Sequence, residues 1–434
     1  MVDKNIQELI NLYRSGKLVV TEKKIIKEIE KNPNNFFLYD FLGIVLSNQK
    51  KLDEAVISFR KSIKINPNYA QGYSNLGAEL FKLKKVDESI NILNQAIKIN
   101  PNFAEPYFRL GVIFKQLNKT NESILCYQKA IQIKPDYVSA HNNLGNVFKE
   151  IGKIEEAIKS YEHIIQINPN SEIAYSNLAN LFIDIGKVED ARKFFLKLFS
   201  LKPNNLEYKI NNGLLITPIV QSVKEINYYR NEYIKNLKLL RKFKYQISNP
   251  GYSIESNFFY LAFHNKDNLE IMKNTSNLFR EIIPNINHTA KKLTSLHPNI
   301  KKESLNPKRA NKALKEKKIK IGFISEFLTD HTVGKLFEGL IKNIGRKKFD
   351  VTIVHTFETK ESTMKKDIDG SANKTICLVN NIKEQQKQIE NENFDIIFYP
   401  EIGMSPRIYF LAFSRLAPAQ IVSWGHPETT GIST

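Results

Sequence analysis

From residue 33 to residue 203 apolar and polar positions recur with a single interval. Pro33, Pro67, Pro101, Pro135, Pro169 and Pro203 each lie 34 residues after the one before (67 − 33 = 34, and likewise onward). The same register aligns Tyr39, Tyr73, Tyr107, His141 and Tyr175, then Leu42, Leu76, Leu110, Leu144 and Leu178, then Gly43, Gly77, Gly111, Gly145 and Ala179. A second block aligns Ala55, Ser89, Ser123, Ala157 and Ala191, followed four residues later by Phe59, Leu93, Tyr127, Tyr161 and Phe195. The pattern predicts two helices per period, small residues where they pack closely and a proline that cannot continue the second. Leu18, one period before Leu52, predicts a degenerate opening unit.

After Asn204 the period fails, although helical spacing persists through INYYRNEYIKNLKLLRKF and LEIMKNTSNLFREI, so residues 204–297 read as a helical spacer. Within it SNFFYLAFHNKDN reads as core. KKESLNPKRANKALKEKKIK falls on a basic linker, residues 298–317. KIKIGFIS, FDVTIVHTF, FDIIFYP and AQIVSW then follow as short β-branched runs separated by helical segments such as VGKLFEGLIKNI and IKEQQKQIENEN, which argues for a parallel α/β sheet over residues 318–434. Ligands of such sheets bind beyond the carboxyl ends of the strands. His331, Glu401 to Ser405, and His426 to Gly431 stand at those ends. His331 there suits a general base, a helix cap or an orienting group. Glu401, a lone carboxylate at a strand end, reads as a helix cap or salt-bridge partner.

The 34-residue unit resembles the tetratricopeptide repeat, which implies an α-solenoid over residues 1–203, with helix pairs stacked to leave an extended concave groove. Counted from the third residue after each proline, the sixth position of the first helix is Asn75, Arg109, Asn143, Asn177 and Asn211. A carboxamide both donates and accepts, so such a ladder either grips the backbone of an extended peptide or is solvated surface in an asparagine-rich chain. Arg109 interrupts it. His141, at the aromatic position, reads as a packing residue.

The strings SEFLTDHTVG, RKKFDVTIVHTF and FDIIFYPEIGMSPRIYFLAFSRLAPAQIVSWGHPETTG resemble the amino-terminal lobe of bacterial relatives of protein O-linked N-acetylglucosamine transferase, the Spindly-like glycosyltransferase family 41. The resemblance implies a repeat array followed by a partial Rossmann-like lobe of a GT-B glycosyltransferase. By motif match His331 and His426 take the catalytic-cleft histidine positions, and Thr429, Thr430 and Gly431 a loop that binds sugar or phosphate oxygens; a plain turn after a strand is the other reading of that loop. The implied activity transfers sugar from a UDP-sugar, UDP-N-acetylglucosamine first, to Ser or Thr of polypeptides selected by the repeats, with no other cofactor and no metal. Glu326, Glu428 and the segment PEIGMS depart from the family pattern and resemble its asparagine-glucosylating branch. The family holds its nucleotide mainly in a carboxyl-terminal lobe, which is missing before the sequence stops at Thr434. The expectation is therefore a chain inactive alone, binding UDP-sugar only with that lobe; the alternative is a non-catalytic peptide-binding scaffold.

Composition refines this picture. The formal net charge of +19 raises nucleic acid as a partner, but the lysines alternate with Glu and Asp along helical surfaces and no nucleic-acid motif accompanies them. Two unrelated cysteines, Cys126 and Cys377, suggest neither a disulfide framework nor a metal site. Asp3 and Glu8 stand where a signal peptide would be basic and then apolar, and no apolar run reaches membrane-spanning length, which predicts a cytoplasmic protein.

Overall fold

The computed structural model describes residues 4–217, 220–243, 246–250, 254, 260–261, 264–294, 318–402 and 404–423. It divides into two compact units, Met1–Leu178 and Ala179–Thr434. The first consists of helix pairs: α1 (Lys4–Arg14) with α2 (Leu18–Lys31), α3 (Phe36–Asn48) with α4 (Leu52–Ile65), α5 (Ala70–Lys82) with α6 (Val86–Ile99), α7 (Ala104–Gln116) with α8 (Thr120–Ile133), and α9 (Val138–Glu150) with α10 (Ile154–Ile167). The unit boundary falls inside α11 (Glu172–Asp184), and α12 (Val188–Leu201) and α13 (Leu206–Gly213) complete the thirteen helices of the solenoid among the described residues.

Each aligned position has a physical reason. A Cβ built on Gly43, Gly111 or Gly145 would stand 2.6–2.7 Å from a ring carbon of Phe59, Tyr127 or Tyr161, so glycine lets the second helix lay its aromatic ring flat against the first. Ser89 and Ser123, the small residues of the second helix, donate to the carbonyls of Gly77 and Gly111 at 2.6 and 2.8 Å. The turn between the two helices repeats as well. Gly16, Lys50, Lys84, Asn118, Gly152 and Gly186, one period apart, all have φ between +58° and +76°. The proline carbonyl is also used: the Tyr175 hydroxyl donates to the carbonyl of Pro169 at 3.1 Å, and His141 Nε2 lies 2.9 Å from the carbonyl of Pro135. His141 thus stands in for a tyrosine, with burial holding its imidazole below the usual range and the His163 ring tilted against it at 4.3 Å between centroids.

In the second unit β1 (Ile319–Ser325), α17 (Thr332–Asn343), β2 (Phe349–Thr356), α18 (Thr363–Ser371), β3 (Lys374–Leu378), α19 (Ile382–Glu392), β4 (Ile396–Tyr399), α20 (Pro406–Ala412) and β5 (Ala419–Val422) follow in order. All strand pairings are parallel and the sheet order is β3-β2-β1-β4-β5. Alternate residues serve opposite faces, as the period of two requires. Ile321, Phe323, Val351 and Ile353 pack with Val333, Phe337 and Ile341 of α17, whereas Ile324, Val354, Ile397 and Tyr399 join a larger core.

That larger core changes the reading of the middle region. Leu206 and Ile210 of α13, Tyr233 and Leu237 of α14 (Val223–Leu240), and Phe279 and Ile282 of α15 (Leu269–Ile282) belong to the same buried cluster as Tyr409 and Phe410 of α20. The Phe279 ring meets Phe410 edge-on at 5.0 Å. The helices expected as a spacer therefore form one side of the α/β core, because their apolar stripes have a sheet face to cover. Leu261, within SNFFYLAFHNKDN, is fully buried in this cluster. The basic linker at 298–317 lies outside the described residues.

Candidate functional sites

In the array the ladder residues are half-buried and tied sideways. Asn75 donates to Asp40 Oδ1 at 3.0 Å and accepts from Gln71 at 2.9 Å. Asn143 donates to the Tyr127 hydroxyl at 3.4 Å, and Asn177 donates to Asn142 Oδ1 at 2.7 Å. Apart from the Gln71 bond within α5, each link crosses between helices, so the carboxamides are held in place before any ligand arrives. Asn211 departs from this set. It lies in the second unit, on α13, and is 3% exposed. It does not present a carboxamide to solvent.

In the second unit the strand order reverses between β1 and β4, since the chain runs from β1 to β2 and β3 on one side and returns to β4 and β5 on the other. Open α/β sheets form their ligand crevice at such a reversal. Glu326, directly after β1, and Glu401, shortly after β4, meet there, with the Glu326 N–H donating to Glu401 Oε1 at 3.2 Å. Glu401 is fully buried, and its Oε2 has no hydrogen-bond partner. Burial is the main cause that pushes its carboxyl up to about 8, and the nearby Glu326 adds to it. The Ser405 hydroxyl donates to Glu326 Oε2 at 2.6 Å. Arg407 bridges Glu326 at 3.2 Å and Glu358, beyond β2, at 2.6 Å. A neutral carboxylic acid beside a paired carboxylate and guanidinium can donate a hydrogen bond to an oxygen of a bound molecule.

Glu401 is thus neither a helix cap nor a salt-bridge partner. Arg407 escaped the sequence reading altogether. Its signal was a lone cation opening the apolar helix PRIYFLA directly after a strand end. His331 takes the capping role: it is the N-cap of α17, its Nδ1 accepts from the Val333 N–H at 3.2 Å, and its ring packs on Phe327 at 4.7 Å. With Nδ1 accepting, the neutral imidazole carries its proton on Nε2. Gly334 permits the fold of this loop, because a Cβ there would overlap the carbonyl oxygen of Thr329. His426, Thr429, Thr430 and Gly431 lie outside the described residues. Among the described residues no group of three or more His, Cys, Asp or Glu could hold a metal ion. No helix among them is long and apolar enough to cross a membrane.

Comparison with known proteins bears on the array. The family described as TPR repeat matches residues 77–118, 113–152 and 145–186, and the family described as Tetratricopeptide repeat matches 38–69 and 173–205. No curated protein sequence matches the chain. Among solved structures, Pseudomonas aeruginosa PilF is 19% identical, covering 48% of this chain and 94% of its own, with a TM-score of 0.41. YrrB, described as a TPR protein with an unusual peptide-binding site, is 18% identical over 42% of this chain and 94% of its own, with a TM-score of 0.34. A Thermobaculum terrenum O-GlcNAc transferase variant is 14% identical over 84% of this chain and 52% of its own, with a TM-score of 0.40. The matched repeats and the 34-residue helix pairs make the first part of the chain a tetratricopeptide repeat solenoid, followed by a parallel five-stranded α/β region.

Proposed function

We propose that this protein binds polypeptides through its repeat array. The supporting observation is the set of half-buried carboxamides, Asn75, Asn143 and Asn177, fixed by cross-helix hydrogen bonds on the first helices α5, α9 and α11. Fixed donors and acceptors lose little entropy on engaging an extended backbone. Replacing the three by Ala is expected to weaken binding of a fluorescent unstructured polypeptide by about tenfold or more, since each loses roughly one net hydrogen bond, while helical circular dichroism is retained. Unchanged affinity by anisotropy titration overturns the reading.

A second reading adds chemistry in the α/β unit: an amino-terminal lobe of the GT-B type, acting on polypeptides held by the array, with a UDP-sugar as donor. It is favoured by the polar cluster of Glu326, Glu401, Ser405 and Arg407 at the strand-order reversal, together with the sequence resemblance around His331. Its test is incubation of the protein with cell extract and UDP-N-acetylglucosamine, followed by mass spectrometry for modified peptides. Modification that is lost in Glu401→Ala supports transfer; absence of modification with every UDP-sugar tried leaves the scaffold reading alone.

A further inference from the structure

Two charged residues that break the period of the array line the same cavity. Glu79 stands where the other repeats carry Val45, Ile113 and Val147, which are 0–2% exposed. It is itself 3% exposed, so a carboxylate occupies a core position. Arg109 stands where neighbouring repeats carry Asn75, Asn143 and Asn177. The cavity has a volume of about 330 Å³ and is bounded by Ser47 of α3, by Asn75, Ala78, Glu79 and Lys82 of α5, and by Arg109 of α7. Ala78 widens it, for Ile44 and Val112 hold that position in the adjoining repeats.

Neither charged group is fully satisfied. Glu79 Oε1 accepts from Ser47 and from Lys82 Nζ, the latter at 2.7 Å, while Oε2 is buried with no partner. Arg109 pairs through Nη2 with Glu105 at 2.7 Å, and its Nε is buried with no partner. A buried polar atom without a partner costs stability, and the neighbouring repeats fold with apolar residues in place of Glu79, so the solenoid does not need it. Both side chains line the cavity, and each keeps one buried polar atom without a partner, an acceptor on Glu79 and a donor on Arg109. A lysine or arginine side chain would satisfy only Glu79 and lie against Lys82 and Arg109. A carboxylate would satisfy only Arg109 and lie against Glu79.

We propose that this cavity is a subsite for the carboxamide side chain, Asn or Gln, of a bound polypeptide, its NH2 donating to Glu79 Oε2 and its carbonyl accepting from Arg109 Nε. The proposal rests on the polypeptide-binding reading above. It gives the otherwise backbone-directed groove a side-chain preference, because a neutral group that both donates and accepts matches both orphans.

The test pans a randomised twelve-residue phage-display library against the whole chain and titrates the selected peptides, made synthetically, against the wild type and the double variant Glu79→Val/Arg109→Asn. The variant installs residues that the other repeats already carry, so it folds, and its thermal midpoint rises. The expected result is enrichment of Asn or Gln at one peptide position, with binding about tenfold or more weaker in the double variant and on changing that residue to Glu, Lys, Leu or Gly. Peptides that favour Lys or Arg, or that bind both proteins equally, overturn the subsite while leaving the groove reading intact. A Gly replacement that binds as well as Asn or Gln also overturns it, by assigning the contact to backbone. Recovery of no peptide at all removes the polypeptide-binding reading and the subsite with it.

Discussion

Glu401→Gln is expected to make the second unit more stable at pH 8 by a few kcal/mol and to leave it nearly unchanged at pH 4.5. In the folded state burial raises the Glu401 carboxyl from an ordinary 4.5 to about 8. A carboxyl raised on folding binds its proton more tightly in the native state, so its contribution is fully present below the unfolded value. That contribution is lost as pH climbs from about 4.5 through about 8, where the native state too must ionise. At roughly 1.4 kcal/mol per pH unit of displacement, the total loss is on the order of 5 kcal/mol. Glutamine imitates the protonated acid: its carbonyl still accepts from the Glu326 N–H, and it cannot ionise. Urea unfolding from pH 4.5 to 9, followed by circular dichroism, reports the effect. Wild-type and variant stabilities that run parallel across that range would show that the carboxylate is solvated or compensated at the strand ends.

How far the sequence foretold this site depends on what each feature rests on. The repeats were legible because 34-residue periodicity multiplies a weak local signal, and Gly43, Gly111 and Gly145 prove to face a ring of the partner helix and Ser89 and Ser123 a carbonyl. Four strands were legible as β-branched runs. The fifth, β3, was missed because KTICL is a short edge strand, mostly exposed, whose pattern resembles a loop. What the helices at 204–297 pack against was not legible for a different reason: amphipathic spacing shows that a helix has an apolar face but not what covers it, and the sheet residues that share a core with α14 and α15 lie far along the chain. The same limit applies to Glu326, Glu401 and Arg407. Glu326 follows β1 while Glu401 and Arg407 follow β4, and only the strand-order reversal brings these two segments together. The tautomer of His331 follows from a cap bond two residues away, which no spacing rule encodes. Glu79 was visible in principle, as the one charge in a column of apolar residues, once the columns were read for exceptions and not only for agreement.

Gly145→Val is expected to destabilise the first unit by about 3 kcal/mol or more, the upper end of overpacking costs, because the space it needs is already taken. A Cβ at this position would lie 2.7 Å from Tyr161 Cε1 and 3.0 Å from Cδ1 and Cζ. The ring has little freedom to retreat. Tyr161 is fully buried, and its hydroxyl donates to Asn146 Oδ1 at 2.7 Å, on the same helix as Gly145. Relief must therefore come from separating α9 and α10, which breaks the contact that defines the repeat. Gly152→Ala supplies the contrast: nothing lies within 4 Å of its added Cβ, but its φ of +76° makes a side chain cost about 1 kcal/mol through backbone strain alone. A double-mutant cycle isolates the steric part. In a Tyr161→Ala background Gly145→Val should cost far less than in the wild type, so the two changes are strongly non-additive, whereas Gly152→Ala and Tyr161→Ala should add. Because repeat proteins gain stability from nearest-neighbour interfaces, hydrogen exchange should show protection falling first in α9 and α10 and less in α3 to α6. Additive costs for the Gly145 and Tyr161 pair, or an unchanged melting curve for Gly145→Val, would mean that the helices separate freely and that the glycine column reflects something other than ring packing.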